Sequence, residues 1–154
     1  MEEKTLIILK PSCVQRMLIG EVISRFERKG LRLAGTKMIM LNDQILNEHY
    51  AHLINEPFFE RVKNSMKACP VVVQCWAGKD AAKVVRSLLG ITNGREAQAG
   101  TVRGDFAMSA QENIVHASDS AESAKIELKR FFKENELFDY KLLTESTLYS
   151  NEEI

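Results

Sequence analysis

The sequence predicts an α+β fold in which four strands, in β-α-β-β-α-β order, form one antiparallel sheet with helices on one face. Three observations lead there. Short apolar, β-branched runs are bounded by proline, glycine or Asn-Asp signals. Between them, apolar residues recur at helical spacing. The two kinds of segment also alternate in the stated order.

Residues 5–9, Thr-Leu-Ile-Ile-Leu, form an apolar run stopped by Lys10 and Pro11, which suits a buried strand. Ile19, Val22, Ile23 and Phe26 then share a helical face, and Arg28-Lys29-Gly30 supplies the basic residues and glycine of a helix end. Residues 31–41 lack a helical stripe and read as a second strand. Asn42 or Asp43 can cap the next helix, which carries Ile45, Leu46, His49, Tyr50 and Leu53. Pro57 opens another short helix, with Phe58, Phe59, Val62 and Met66 as its apolar members.

Residues 70–76, Pro-Val-Val-Val-Gln-Cys-Trp, are the clearest strand. Residues 79–89 follow as a helix with Ala82, Val85, Leu88 and Leu89 on one side and Gly90 behind it. Residues 91–108 show no sustained period and contain Gly94, Gly100 and Gly104. Long irregular loops of this kind usually either bind something or are disordered. Residues 113–116 make a very short strand. From Ser120 to Phe132 the pattern is helical, with Ala124, Leu128 and Phe131 on the buried side. Tyr140, Leu142 and Leu148 suggest that the segment 139–154 packs on the body or on a neighbour. The whole is a ferredoxin-like split arrangement with an added helical hairpin and a C-terminal extension. With no repeat or linker, residues 1–154 read as one domain.

Lysine plus arginine and aspartate plus glutamate both total 21. That balance speaks against a general nucleic-acid surface, which needs a basic footprint, and leaves room for a local cationic pocket. The three cysteines have no C-x-x-C spacing and cannot all pair within the chain, as expected of free thiols in a reducing compartment. No basic-then-apolar leader and no apolar run of membrane-spanning length is seen, so a soluble, cytoplasmic chain is expected.

His49 and His52 lie three residues apart on the hairpin and are expected on a helix surface. No Asp, Glu or Cys stands at a spacing that completes a zinc set with them. His116 differs. It ends Ile114-Val115 and precedes Ser118-Asp119-Ser120, all natural N-caps, with Asp119 and Glu122 at capping-box spacing. A helix starting there aims free N–H groups back at His116, which favours anions. Glu127, about two turns on, could hold one imidazole nitrogen and leave the other as nucleophile. A capped, structural histidine is the competing reading. Lys10, Arg86, Arg95 and Arg103 are candidate phosphate ligands, because guanidinium forks match phosphate geometry; solvated surface arginines are the alternative. No Walker-type loop or dinucleotide fingerprint is present, so side chains would do most of the neutralising.

Asn113-Ile-Val-His-Ala-Ser-Asp-Ser120 resembles the active-site signature of nucleoside diphosphate kinases. Thr5-Leu-Ile-Ile-Leu-Lys-Pro11, Arg25-Phe26-Glu27, His49-Tyr50, Pro57-Phe58-Phe59, Gly90-Ile-Thr-Asn93 and Gly100-Thr-Val-Arg-Gly-Asp-Phe106 continue the likeness in order along nearly the whole chain. The resemblance implies a ferredoxin-like fold and a ping-pong transfer of the γ-phosphoryl group of a nucleoside triphosphate, usually ATP, to a nucleoside diphosphate. His116 would be the nucleophile through Nδ1, with Glu127, supported by Ser118, orienting its other nitrogen. Lys10 would contact the phosphoryl group and sugar hydroxyls, Asn113 the sugar, and Tyr50 would pack near the imidazole. Arg86, Thr92 and Arg103 would hold the terminal phosphates, and Phe58 would stack on the base with Val62 on its other side. Mg²⁺ would arrive on the nucleotide and reach Asp119 through water. A hexamer built from dimers is implied as well.

There are two departures from the family pattern: Ser12-Cys13 stands where Asp-Gly is common, and Ala117 where glycine is usual. A methyl group is expected to be tolerated at Ala117. The alternative functions are a nucleic-acid-binding module or a signalling scaffold on the same frame. The first lacks exposed strand aromatics, Trp76 being the lone large one. The second does not explain why Lys10, Arg86, Arg103, Asn113, His116 and Glu127 occur together.

Overall fold

The computed structural model describes residues 2–153, so Met1 and Ile154, the ends of the expected domain, lie outside the described residues. The chain runs through β1 (Glu3–Leu9), α1 (Pro11–Gln15), α2 (Ile19–Lys29), β2 (Arg32–Ile39), α3 (Asp43–His49), α4 (Phe59–Met66), β3 (Val71–Gly78), α5 (Ala81–Leu89), α6 (Val102–Phe106), β4 (Val115–Ala117), α7 (Ala121–Phe131) and α8 (Glu145–Leu148). The four strands form one sheet in the order β2-β3-β1-β4, and every neighbouring pair is antiparallel.

Burial explains why the central strands are apolar without alternation. Ile7, Leu9 and Trp76 face a core closed by Val22 and Phe26 of α2 and by Val85 and Leu89 of α5. Leu6, Ile8, Val73 and Cys75 face the opposite way, into a second core with Leu46, Tyr50, Phe59, Met66, Leu128 and Phe131. Successive residues of β1 thus feed opposite cores, as the two-residue period of a strand requires. The two crossover helices share one face, while the α3–α4 hairpin and α7 cover the other. Since β4 pairs with β1 so that His116 lies opposite Ile8, His116 projects into the second face, between the hairpin and α7.

Several local features differ from the sequence expectation. The chain after Pro11 forms α1, so Ser12 and Cys13 are helical and need no positive φ. Pro57 sits in the turn ahead of α4, with Phe58 at its N-cap. Residues 91–108 are not wholly irregular. Thr101 caps α6 by accepting from Gly104 N–H, and the turn packs so tightly that a Cβ on Gly104 would come within 2.0 Å of the Gln98 carbonyl oxygen. The last strand starts at Val115 because Ile114 has φ 76° and Val115 N–H closes back on Asn113 O at 2.9 Å, a γ-turn. A β-branched residue there is strained, and strain of this kind collects at functional sites. Asp119 and Glu122 do not form the capping box: Ser120 is the N-cap of α7, accepting from Ser123 N–H at 3.1 Å.

The C-terminal extension packs on the body. Tyr140 Oη donates to Leu33 O at 2.8 Å, the Arg32 guanidinium lies over the Tyr140 ring, and Leu148 closes on Gly30, the left-handed cap of α2. Among the described residues no helix is long and apolar enough to cross a membrane.

Candidate active site

Ser118 is the anchor of the site. Fully buried just after β4, its Oγ accepts Leu6 N–H from β1 at 3.3 Å and donates to Glu127 Oε2 on α7. The other carboxylate oxygen, Oε1, faces His116 Nε2 at 3.6 Å. This is a charge contact and slightly long for a hydrogen bond, and Nε2 is buried with no hydrogen-bond partner among the described residues. Burial would raise the Glu127 pKa, but the contacts with His116 and Ser118 outweigh it and hold the carboxyl well below the usual range. The carboxylate therefore stays charged beside Nε2. That leaves Nδ1 as the ring nitrogen free of this contact. Ala117 lies in extended β4 backbone, which accepts its methyl group.

Two aromatic rings fix the imidazole plane. The Tyr50 ring centroid lies 6.2 Å from that of His116, and the His49 ring 4.5 Å away at an interplanar angle of 77°. His49 is buried, contrary to its expected place on a helix surface, whereas His52 is exposed as expected. Leu46 and His49 turn the same side of α3 inward, a three-residue spacing that could have revealed this from sequence. The Arg130 guanidinium lies 3.0 Å from His49 Nδ1 and also donates to Glu48 at 3.0 Å. His49 Nδ1 is thus the acceptor and Nε2 carries the proton. Burial, then the neighbouring His116, keeps His49 neutral, far below the usual imidazole pKa. His49, His116 and Glu127 can place ligand atoms within 4.8 Å of one another, a grouping that spacing did not disclose because Glu127 comes from another helix. The positive charge of Arg130 at His49 disfavours a cation there. Neither His49 nor Arg130 was singled out by sequence as part of the site.

The cations converge from three elements. Lys10, at the end of β1, donates to Asn113 Oδ1 at 2.7 Å and to Gln111 O at 3.2 Å. Burial, then Arg103, brings its pKa down to about 8, while Glu112 opposes the fall. Asn113 is buried and donates to Thr92 O at 3.2 Å and Ala110 O at 2.9 Å. Arg103 is buried too. It donates to the carbonyls of Gly90 (3.0 Å), Asn113 (3.2 Å) and Val115 (2.6 Å), so it holds both sides of the strained Ile114 turn. All three acceptors are neutral, and burial with the Arg86 charge lowers the Arg103 pKa to about 10.

Arg86 is exposed at the end of α5 and pairs with Asp119 at 2.8 Å. Thr92 is exposed, and Phe58 and Val62 are half-buried at the start of α4. Arg95 donates to Met108 O and ties its own loop together, so it is not brought to His116 by any of these contacts. The site is a histidine beside a fixed carboxylate, just past a strained turn, next to buried positive charge that has no anionic partner in contact among the described residues. Such a site can bind a polyphosphate and present a nitrogen nucleophile to it. A separate cleft lies between Arg32, Lys125, Leu128 and the extension at Tyr140 and Leu148, and none of these groups lines it.

Residues 3–137 match the family model described as nucleoside diphosphate kinase. The chain is 65% identical over 151 residues to a nucleoside diphosphate kinase of Parabacteroides distasonis, covering 98% of this chain and 99% of that one. It is 44% identical to nucleoside diphosphate kinase A of Rattus norvegicus, over 96% and 97% of the two chains. Among solved structures, a nucleoside diphosphate kinase from Halobacterium salinarum in complex with CDP superposes with a TM-score of 0.94 at 34% identity, covering 97% of this chain and 99% of that one. The chain therefore belongs to the nucleoside diphosphate kinase family, and its activity is phosphoryl transfer from nucleoside triphosphates to nucleoside diphosphates.

Proposed function

We propose that His116 carries the phosphoryl group between nucleotides in a ping-pong exchange. The Nδ1 lone pair attacks the γ-phosphorus of a nucleoside triphosphate, usually ATP as the abundant donor. The bond from that phosphorus to the bridging oxygen breaks, and its electrons leave with the diphosphate. A second diphosphate then attacks the phosphohistidine through a terminal oxygen, and the P–N bond breaks. The observation that carries this reading is the buried Nε2 against the Ser118-supported Glu127 carboxylate. A carboxylate there fixes the proton on Nε2 and stabilises the imidazolium-like charge that develops during attack.

The remaining roles follow from charge and position. Lys10 meets the transferred phosphoryl group and the sugar hydroxyls, and Asn113, which holds Lys10, meets the sugar. Arg86, Thr92 and Arg103 bind the terminal phosphates. Tyr50 packs beside the imidazole. Phe58 stacks on the base with Val62 opposite; stacking offers area without a donor–acceptor code, so purines and pyrimidines are both accepted. Most of the rate acceleration is then positioning and electrostatic stabilisation.

Mg²⁺ enters with the nucleotide. Asp119 is an exposed carboxylate with Arg86 as its partner, which fits a contact through water and not a protein cage. When bound, the ion neutralises phosphate oxygens. The reading extends to a single domain over residues 1–154, a hexamer assembled from dimers, and a cytoplasmic location. Sedimentation of the purified chain tests the assembly; a stable monomer at micromolar concentration contradicts it.

The test of the exchange uses γ-labelled ATP. Label should remain on the protein after nucleotide removal, survive base, be lost in acid, and be discharged by several nucleoside diphosphates at comparable rates. Discharge by one base alone contradicts the stacking argument, and no protein-bound label contradicts the exchange.

A further inference from the structure

Glu112 is charged, close to the site and not used by the exchange. Its Oε1 accepts from Ser65 Oγ of α4 at 2.5 Å and from Gln111 Nε2 at 3.0 Å. Arg61, one turn before Ser65, donates to Gln111 Oε1 at 2.9 Å. Ser109 Oγ accepts the backbone N–H groups of both Gln111 and Glu112 at 3.1 Å. The loop 109–113 is therefore fastened to α4 at two points, and the same loop gives Lys10 its two oxygen partners, Gln111 O and Asn113 Oδ1.

We infer that Glu112 is a positioning residue for the phosphoryl exchange: its carboxylate, held by Ser65 and Gln111, fixes the loop that cradles Lys10 onto α4 and sets a negative charge between the two residues that hold the Lys10 ammonium. The inference rests on the assignment of Lys10 to the transferred phosphoryl group. A contact ion pair would compete with phosphate for the ammonium. Here the Nζ group is bonded to two neutral oxygens instead, so the carboxylate acts across a gap and leaves Lys10 free to donate. Among the described residues the charges that act on Lys10 are those of Arg103 from α6 and Glu112 from the loop; Arg61 from α4 meets the loop at Gln111. Burial and Arg103 both favour the neutral amine, and Glu112 opposes them. Because α4 carries Val62 and follows directly on Phe58, its N-cap, the clamp links the segment proposed to hold the base to the cation proposed to meet the phosphoryl group.

The test is Glu112→Gln, which keeps the shape and an acceptor for Ser65 but removes the charge. Two readouts are taken: the pH dependence of kcat/KM, and the Lys10 titration midpoint from competitive acetic anhydride labelling read by peptide mass spectrometry. Both the alkaline limb and the midpoint should move to lower pH by roughly 0.5–1 unit. Arg61→Ala should raise the nucleotide KM several-fold and leave the midpoint in place. A variant E112Q with the parent's limb and midpoint overturns the inference while leaving the Lys10 assignment intact. A parent-like kcat/KM in Lys10→Met removes that assignment and this inference with it.

Discussion

Replacing Arg103 with alanine separates a binding role from a structural one. Arg103 gives three hydrogen bonds to the carbonyls of Gly90, Asn113 and Val115. Bonds from a charged donor contribute about 1.5 kcal/mol each at the lower end, so their loss costs about 4–5 kcal/mol. Relief of a buried charge opposes this. Burial and Arg86 bring the pKa down from the ordinary guanidinium value to about 10, which corresponds to about 3 kcal/mol. The variant should therefore lose only about 1–2 kcal/mol of folding stability, small beside a typical total of roughly 5–15. Nucleotide binding should suffer more. A diphosphate brings the missing counter-charge, and the cost of keeping Arg103 charged is recovered only when that anion is bound. Losing about 3 kcal/mol of this compensation corresponds to roughly 100-fold weaker ADP binding. Urea denaturation and calorimetric titration of the same preparation measure both quantities. Arg103→Lys, which keeps the charge but not the three-way grip, should recover part of the affinity and little of the stability. If R103A lost stability yet bound ADP within about threefold of the parent, Arg103 would be a strut alone and the reasoning would fail.

Three further outcomes are expected. Glu127→Gln keeps a side chain of the same shape but removes the charge facing Nε2; single-turnover phosphorylation should slow by roughly 10–100-fold with nucleotide KM little changed, and an unchanged rate would count against the tautomer argument. Ser118→Ala leaves Leu6 N–H without its side-chain acceptor and Glu127 without its donor; chemical denaturation should show a loss of about 1–3 kcal/mol, accompanied by slower phosphorylation. In the proposed exchange Lys10 acts as an ammonium, the form present below its pKa of about 8. The kcat/KM profile, which reports the free enzyme, should accordingly fall as pH rises through that value and lose this limb in Lys10→Met.

Much of the fold was legible because its signals are local. Gly30 ends α2, Asn42 caps α3 and the run at Val71–Gly78 is buried throughout, each where chain chemistry requires it. The ladder itself places His116 opposite Ile8 once β4 is recognised. What escaped depends on contacts distant in sequence. The γ-turn at Ile114 is imposed on a residue with strand propensity by Arg103 and by Lys10 N–H, which donates to Ile114 O at 3.0 Å. The burial of His49 follows from Arg130 and Glu127 arriving on α7. Asp119 looked like a cap, yet its carboxylate is taken by Arg86 from another helix, and the adjacent Ser120 caps instead. His116 as nucleophile, Glu127 as its support and Lys10, Arg86 and Arg103 as phosphate ligands were suggested by residue type and position; the remaining roles came from the resemblance, and the contacts of Ser118, Glu127 and Arg103 support the proposal.

The central claim is that one imidazole nitrogen accepts the phosphoryl group. After a brief incubation with ATP under alkaline quench, ³¹P NMR with peptide mapping locates the modification and distinguishes the two ring positions. A single phosphoramidate on Nδ1 of His116, absent from His116→Asn, is the expected result. Phosphate found on Nε2, on His49 or His52, or still present in His116→Asn would contradict the account.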